Sequence, residues 1–148
     1  MADIKNILVA VDFGKSSEKA MELGVELARK FDASLTLVHA YEIPSYAYPD
    51  AALFTAHLLA PVEDAARKQL ESTLVTVQER VPGAKVILRK GAAATEILAV
   101  IDEVHPDLVV TGTHGRRGLS RTLLGSVAEK VVRLSPVPVL TVRGVSAH

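Results

Sequence analysis

Five short runs of branched apolar residues punctuate the chain: ILVAV from Ile7, SLTLVHA from Ser34, KVILR from Lys85, DLVVTG from Asp107 and VPVLTV from Val137. Several are apolar at nearly every position instead of at alternate ones, which is the pattern of strands covered on both faces. Strands of that kind pair in parallel and are flanked by helices. The segments between them carry the matching helical stripes. From Ser17 onward, Ala20, Leu23, Leu27, Ala28 and Phe31 fall at helical spacing, with Ser16 or Ser17 available as N-cap. Val62, Ala66, Leu70, Leu74, Val77 and Val81 trace a second stripe that Pro82 and Gly83 stop. Ile97, Leu98, Ile101 and Val104 make a third, with Thr95 near its start and Pro106 after its end, and Val127, Val131, Val132 and Leu134 make a fourth.

Strict alternation of strand and helix predicts an open, doubly wound α/β fold: a five-stranded parallel sheet of order 3-2-1-4-5, helices on both faces, right-handed crossovers, and one domain spanning residues 1–148. Ligands of such folds sit beyond the carboxyl ends of the strands, where the strand order reverses. That point falls between strands one and four. The loops starting at Asp12 and Gly112 are therefore expected to face each other across a crevice.

Composition narrows the partners. The 148 residues are 49% apolar and 23% charged, the balance of a globular chain, and 17 basic residues offset 17 acidic ones. With no global field to attract nucleic acid or an anionic membrane, any anion site has to be local. There is no cysteine, so disulfide and thiolate chemistry are excluded and a reducing compartment suits the chain. The apolar run at Ile7 is too short for a signal-peptide core, and none approaches the roughly twenty residues of a membrane helix. The expectation is a cytoplasmic protein without membrane or nucleic-acid partners.

Two familiar phosphate motifs fail. A dinucleotide fingerprint needs three spaced glycines after strand one, where VDFGKSSEKA has only Gly14. Gly14, Lys15 and Ser16 mimic the end of a Walker A loop, but the glycine required five residues earlier is Val9. The stretch GTHGRRGLSRTLLGSV, from Gly112 to Val127, fits better. It places Gly112, Gly115, and a Gly125–Ser126 pair between strand four and helix four. Glycine lets peptide N–H groups approach phosphate closely and permits positive φ, and the helix start adds free amides, a favourable dipole and the Ser126 hydroxyl.

The spacing G-x2-G-x9-G-S, followed by a helix and PVPVLTVR, resembles the nucleotide-binding pattern of the universal stress protein family. The likeness covers nearly the whole chain, with ILVAVDFGKSSEKAMELGVELA similar to the family's opening strand and helix, LTLVHAYE to its second strand and GAAATEIL to the exit of its third. Ala93 departs from it, where many members carry proline. The resemblance implies an adenine-nucleotide binding protein, with ATP and magnesium as ligands, acting in a stress response or in regulation. It implies that Asp12 contacts the adenosine part, that backbone at Ala40 meets adenine, and that Gly112, Gly115, Gly125 and Ser126 hold ribose and phosphates. A homodimer through the edge strand Val137–Arg143 is implied as well.

Other candidates have competing uses. Asp12 either meets a nucleoside or closes a local turn before helix one. Arg116 and Arg117 offer forked contacts to phosphate or are solvated loop charges. His39, His57, His105, His114 and His148 show no metal-ligand spacing, and His114 serves as an acid or base or simply orders its loop. The segment Glu42–Pro61, with an uncharged apolar run from Ala51 to Ala60, reads as a short helix packed on the second helix, or as a lid or contact surface. Three uses of the crevice stay open: a nucleotide-holding module, a slow ATP hydrolase or nucleotidyl-transfer enzyme, and a nucleotide-free dimer. The intact glycines and the lack of carboxylates besides Asp12 favour the first.

Overall fold

A computed structural model of the protein describes residues 3–42, 51–114 and 124–144, with the backbone alone at 51–59. The elements run β1 (Asn6–Ala10), α1 (Lys15–Phe31), β2 (Ser34–Tyr41), α2 (Ala51–Gln78), β3 (Lys85–Lys90), α3 (Ala93–Val104), β4 (Leu108–Gly112), α4 (Ser126–Leu134) and β5 (Val139–Val142). The sheet has the order β3-β2-β1-β4-β5, as the sequence predicts, and every pairing is parallel.

The continuous apolar runs follow from two cores. Ile7 and Val9 of β1, with Leu35 and Leu37 of β2, pack against α1 and α2, while Leu8, Ala10, Val38 and Val109 pack against α3 and α4. Alternate residues of one strand thus serve opposite faces, and both sets must be apolar. Leu8 and Val9 are fully excluded from water. Each buried side chain of this size stabilises the fold by about 1.5–3 kcal/mol.

The stripes hold in the middle of the helices and fail at their edges. Ala20, Ala28, Ala66, Leu70, Val77, Ile97, Ile101 and Val131 are buried, but Phe31, Val62, Val132 and Leu134 are exposed. The exposed residues sit at helix ends or beside the buried line, where the sheet no longer covers them. α3 stops as expected: His105 takes a left-handed conformation at φ 53°, its N–H bonds the Ile101 carbonyl at 2.9 Å, and Pro106 follows.

Two expectations are corrected. Neither Ser16 nor Ser17 caps α1, because the helix starts earlier and Gly14, in extended conformation, takes the N-cap position. The segment Ala51–Ala60 is no separate helix but the opening of α2, which runs on through Pro61 to Gln78. Proline forfeits one backbone hydrogen bond, and the burial of Ala66, Leu70 and Val77 downstream holds the helix on the sheet despite that loss. Residues 43–50 of the same segment lie outside the described residues. No helix among the described residues is long and apolar enough to cross a membrane.

Candidate functional site

The carboxyl ends of β1 and β4 are neighbours in the sheet, so the loop after β1 and the loop after β4 start side by side. In the first, Asp12 Oδ1 accepts a hydrogen bond from the Gly14 N–H at 2.8 Å, and the Asp12 N–H donates to Ser17 Oγ at 2.9 Å. Of the two uses weighed for Asp12, the local turn is thus realised, through one carboxylate oxygen. The same geometry fixes where the carboxylate stands. Phe13 between them has φ 66°, a left-handed conformation that costs a residue with a side chain about 1–2 kcal/mol. Its ring lies 4.6 Å from that of His39, tilted by 52°. His39 Nδ1 in turn donates to the Val11 carbonyl at 2.7 Å.

Gly112 ends β4 against the first turn of α1. A Cβ there would stand 2.6 Å from Ser16 Cβ and 2.7 Å from the Ser16 carbonyl carbon, too close for any real contact. Gly144, just beyond β5, presses on the same turn, and a Cβ there would stand 2.3 Å from the Ser16 nitrogen. Ser16 is accordingly buried, which removes by geometry the Walker-like reading of Gly14, Lys15 and Ser16. The start of α1 is occupied by the protein's own backbone.

The start of α4 is different. The Thr113 N–H donates to the Val142 carbonyl at 2.9 Å, and the Thr113 carbonyl accepts from the Gly125 N–H at 2.5 Å, so both ends of the glycine loop are pinned at one buried threonine. His114 Nδ1 lies 3.1 Å from Thr113 Oγ1, which orders the same neck. Gly125 has φ −69° and ψ 167°, with no side-chain cap on the helix among the described residues, and the first intrahelical bond runs from the Glu129 N–H to the Gly125 carbonyl at 2.9 Å. The amides of Ser126, Val127 and Ala128 precede that bond and have no acceptor within the helix. With the dipole of α4 behind them they form a receptive end for an anion.

The site residues named from sequence meet different fates. Asp12, Gly112, Gly125 and Ser126 gather at the sheet's carboxyl end, around α1 and the neck at Thr113. Ala40 lies at the same end of β2, next to His39. Gly115, Arg116 and Arg117 lie outside the described residues. Neither Gly112 nor Gly125 adopts positive φ, so the expected conformational role is replaced by close packing at Gly112 and by an extended N-cap at Gly125. Among the described residues the left-handed glycine is Gly91, at φ 143°, folded under the Glu96 side chain. Sequence reasoning also missed Gly144, Thr113 and His39. A glycine right after the last strand was the signal for the first, and a histidine interrupting an apolar strand was the signal for the last.

A parallel sheet whose order reverses between β1 and β4, with the loop after β4 leading into α4, defines a doubly wound α/β domain. The chain belongs to the universal stress protein family, whose model matches residues 3–143. It is 31% identical over 144 residues to the universal stress protein YxiE of Bacillus subtilis, across 93% of this chain and 97% of that protein. The solved universal stress protein UspA from Lactobacillus plantarum superimposes with a TM-score of 0.86 at 25% identity, covering 97% of this chain and all of that one. A more distant family protein from Arabidopsis thaliana, solved with AMP bound, shares the fold with a TM-score of 0.64 at 22% identity, over 96% of this chain and 93% of its own.

Proposed function

We propose that the crevice holds an adenine nucleotide, ATP in the first instance, and that the protein acts as a regulatory binding module of the stress-response kind. The observation that carries this reading is the start of α4, without a side-chain cap among the described residues, beside the pinned neck at Thr113 and Gly125. A phosphate chain there would be met by the amides of Ser126 and Val127. The Gly125 N–H is already engaged, so Gly125 would serve by having no side chain. Gly115 and one of Arg116 and Arg117 would complete the cradle. The nucleoside would lie towards Asp12 and the backbone at Ala40. The AMP-bound Arabidopsis relative supports an adenine ligand for this fold.

Magnesium, on this reading, comes in with the phosphate oxygens; among the described residues no cluster of His, Asp or Glu is arranged to hold a metal by itself. The protein holds its nucleotide and does not turn it over quickly: the Asp12 carboxylate is tied to the Gly14 amide, an arrangement that favours holding a ribose over activating water. We further infer a two-fold dimer through the edge strand β5, whose Leu140 is exposed, and a cytoplasmic location, in keeping with a chain without cysteine.

Mass spectrometry of small molecules released on denaturing the purified protein, followed by calorimetric titration with ATP, AMP and a cyclic nucleotide, tests the reading. An adenine nucleotide is expected, with hydrolysis far below the roughly ten turnovers per second of a median enzyme. Absence of binding to all three ligands would remove the nucleotide assignment. A brisk rate abolished by His114→Ala would favour an enzyme instead.

A further inference from the structure

The loop that presents Asp12 has a left-handed phenylalanine at its centre, and strand pairing does not hold it. The pairing of β1 with β2 ends at Ala10 and Val38, before the loop begins. Past that point Val11 is gripped at both of its peptide groups by consecutive residues of β2. Its N–H donates to the Val38 carbonyl at 2.8 Å, and its carbonyl accepts from His39 Nδ1 at 2.7 Å. A carbonyl oxygen can only accept, so Nδ1 carries the proton. The His39 ring then stands 4.6 Å from Phe13, two residues further on, where φ is 66°. Asp12 lies between these two contacts, with Oδ1 on the Gly14 amide.

We propose that His39 is a positioning residue for the nucleotide loop: its Nδ1–H bond to Val11, together with the ring contact at Phe13, sets the strained turn that aims Asp12 into the crevice. The bond continues β1 past its last paired residue by a side chain, where the backbone ladder has stopped. Without it the Val11 carbonyl would lose an acceptor role in a half-buried place, and Phe13 would be free to leave the left-handed region. The consequence for ligand binding rests on the nucleotide reading above. The consequence for the loop does not.

Two substitutions separate the donor from the ring. His39→Asn keeps an N–H donor close to the position of Nδ1, while His39→Phe keeps an aromatic ring and loses the donor. Hydrogen exchange of the ligand-free chain is read at the Asp12 and Gly14 amides, with Leu8 and Val9 as internal controls. In His39→Phe the loop amides are expected to exchange roughly three- to tenfold faster, the loss of one hydrogen bond, with the controls unchanged. In His39→Asn they should stay near the parent rate. ATP and adenosine affinities should both fall by a similar factor in His39→Phe and recover in His39→Asn. Unchanged loop exchange in the Phe variant overturns the proposal, as does an Asn variant no better than the Phe variant, or faster exchange that extends to Leu8 and Val9. A parent protein that binds no adenine nucleotide would sink the functional reading, and the exchange rates would then decide this inference alone.

Discussion

The Thr113 carbonyl accepts the Gly125 N–H at 2.5 Å, closing the glycine loop at its base and delivering the chain to the start of α4. The bond can be removed without forcing the backbone, because Gly125 sits at φ −69°, close to the angle that proline imposes. Gly125→Pro is therefore expected to keep a near-native circular dichroism spectrum while opening the neck. Gly125→Val keeps the N–H and the extended conformation and only adds bulk where phosphate would approach. Both should weaken ATP binding at least tenfold, about 1.4 kcal/mol or more, by calorimetric titration. If both variants bind ATP like the parent, the phosphate cradle is wrong.

The glycines around Ser16 predict a stability effect with no ligand involved. Gly144→Ala would place a Cβ 2.3 Å from the Ser16 nitrogen and 2.4 Å from its Cα, backbone atoms that move only if α1 moves. Gly112→Ala meets Ser16 Cβ at 2.6 Å but also the Ser16 carbonyl carbon at 2.7 Å. Each should lower stability by about 1–3 kcal/mol, read as a shift of the urea midpoint. Ser16→Gly should relieve Gly112→Ala only in part and Gly144→Ala hardly at all, since in both cases backbone contacts remain.

The sheet was legible because each strand of the buried interior had to be apolar on both sides, and Leu8 and Val9 serve opposite cores from adjacent positions. That the loops after β1 and β4 start side by side followed from strand order alone. What escaped was set by particular tertiary and loop contacts that spacing alone does not reveal. That Gly112 is a glycine because of Ser16 cannot be seen from the G-x2-G-x9-G-S spacing, which points equally to a ligand. Ser17 looked like a helix cap, yet its hydroxyl serves the Asp12 amide, since the helix had already begun at Lys15. The run Ala51–Ala60 read as a short helix of its own because local rules cannot weigh the hydrogen bond lost at Pro61 against the burial of Leu70 and Val77.

The exposed edge of β5 makes the assembly testable. Leu140 is 36% exposed on a strand that pairs with β4 on one side only. An apolar edge with unpaired N–H and C=O groups invites a second copy, and lysine is the residue that most often blocks such pairing. Leu140→Lys should convert a dimer to a monomer in light scattering without loss of the fold. A dimer that survives the substitution would place the interface elsewhere.

Tyr41, at the end of β2, gives a prediction in pH. Its hydroxyl is held above the ordinary 10.0 by burial, then by the negative charge of Glu63 and the hydrogen bond to it, with Arg67 opposing. As pH rises through 10.0 the unfolded chain releases this proton first, so the unfolded state gains free energy of ionisation that the folded state lacks. Stability is therefore lost on the alkaline side, and the effect is absent well below that value. Tyr41→Phe should lessen the alkaline fall in urea midpoint relative to the parent. An identical slope in the two proteins would show that Tyr41 ionises alike in both states.

Asp12 has two jobs that its substitutions can divide. As a turn residue it needs an acceptor for the Gly14 amide at 2.8 Å, which asparagine supplies through its side-chain oxygen and alanine does not. Asp12→Asn should therefore retain stability, while Asp12→Ala should lose about 0.5–1.5 kcal/mol, the value of one such bond. As a ligand contact the carboxylate would face ribose or adenine, parts that ATP and adenosine share. Both variants should then weaken ATP and adenosine by the same factor, in contrast to the Gly125 variants, which should weaken ATP alone. Titration of the four proteins with both ligands gives the comparison. If Asp12→Asn binds both ligands as tightly as the parent, the turn is the whole of Asp12's role and the negative charge is not needed in the crevice.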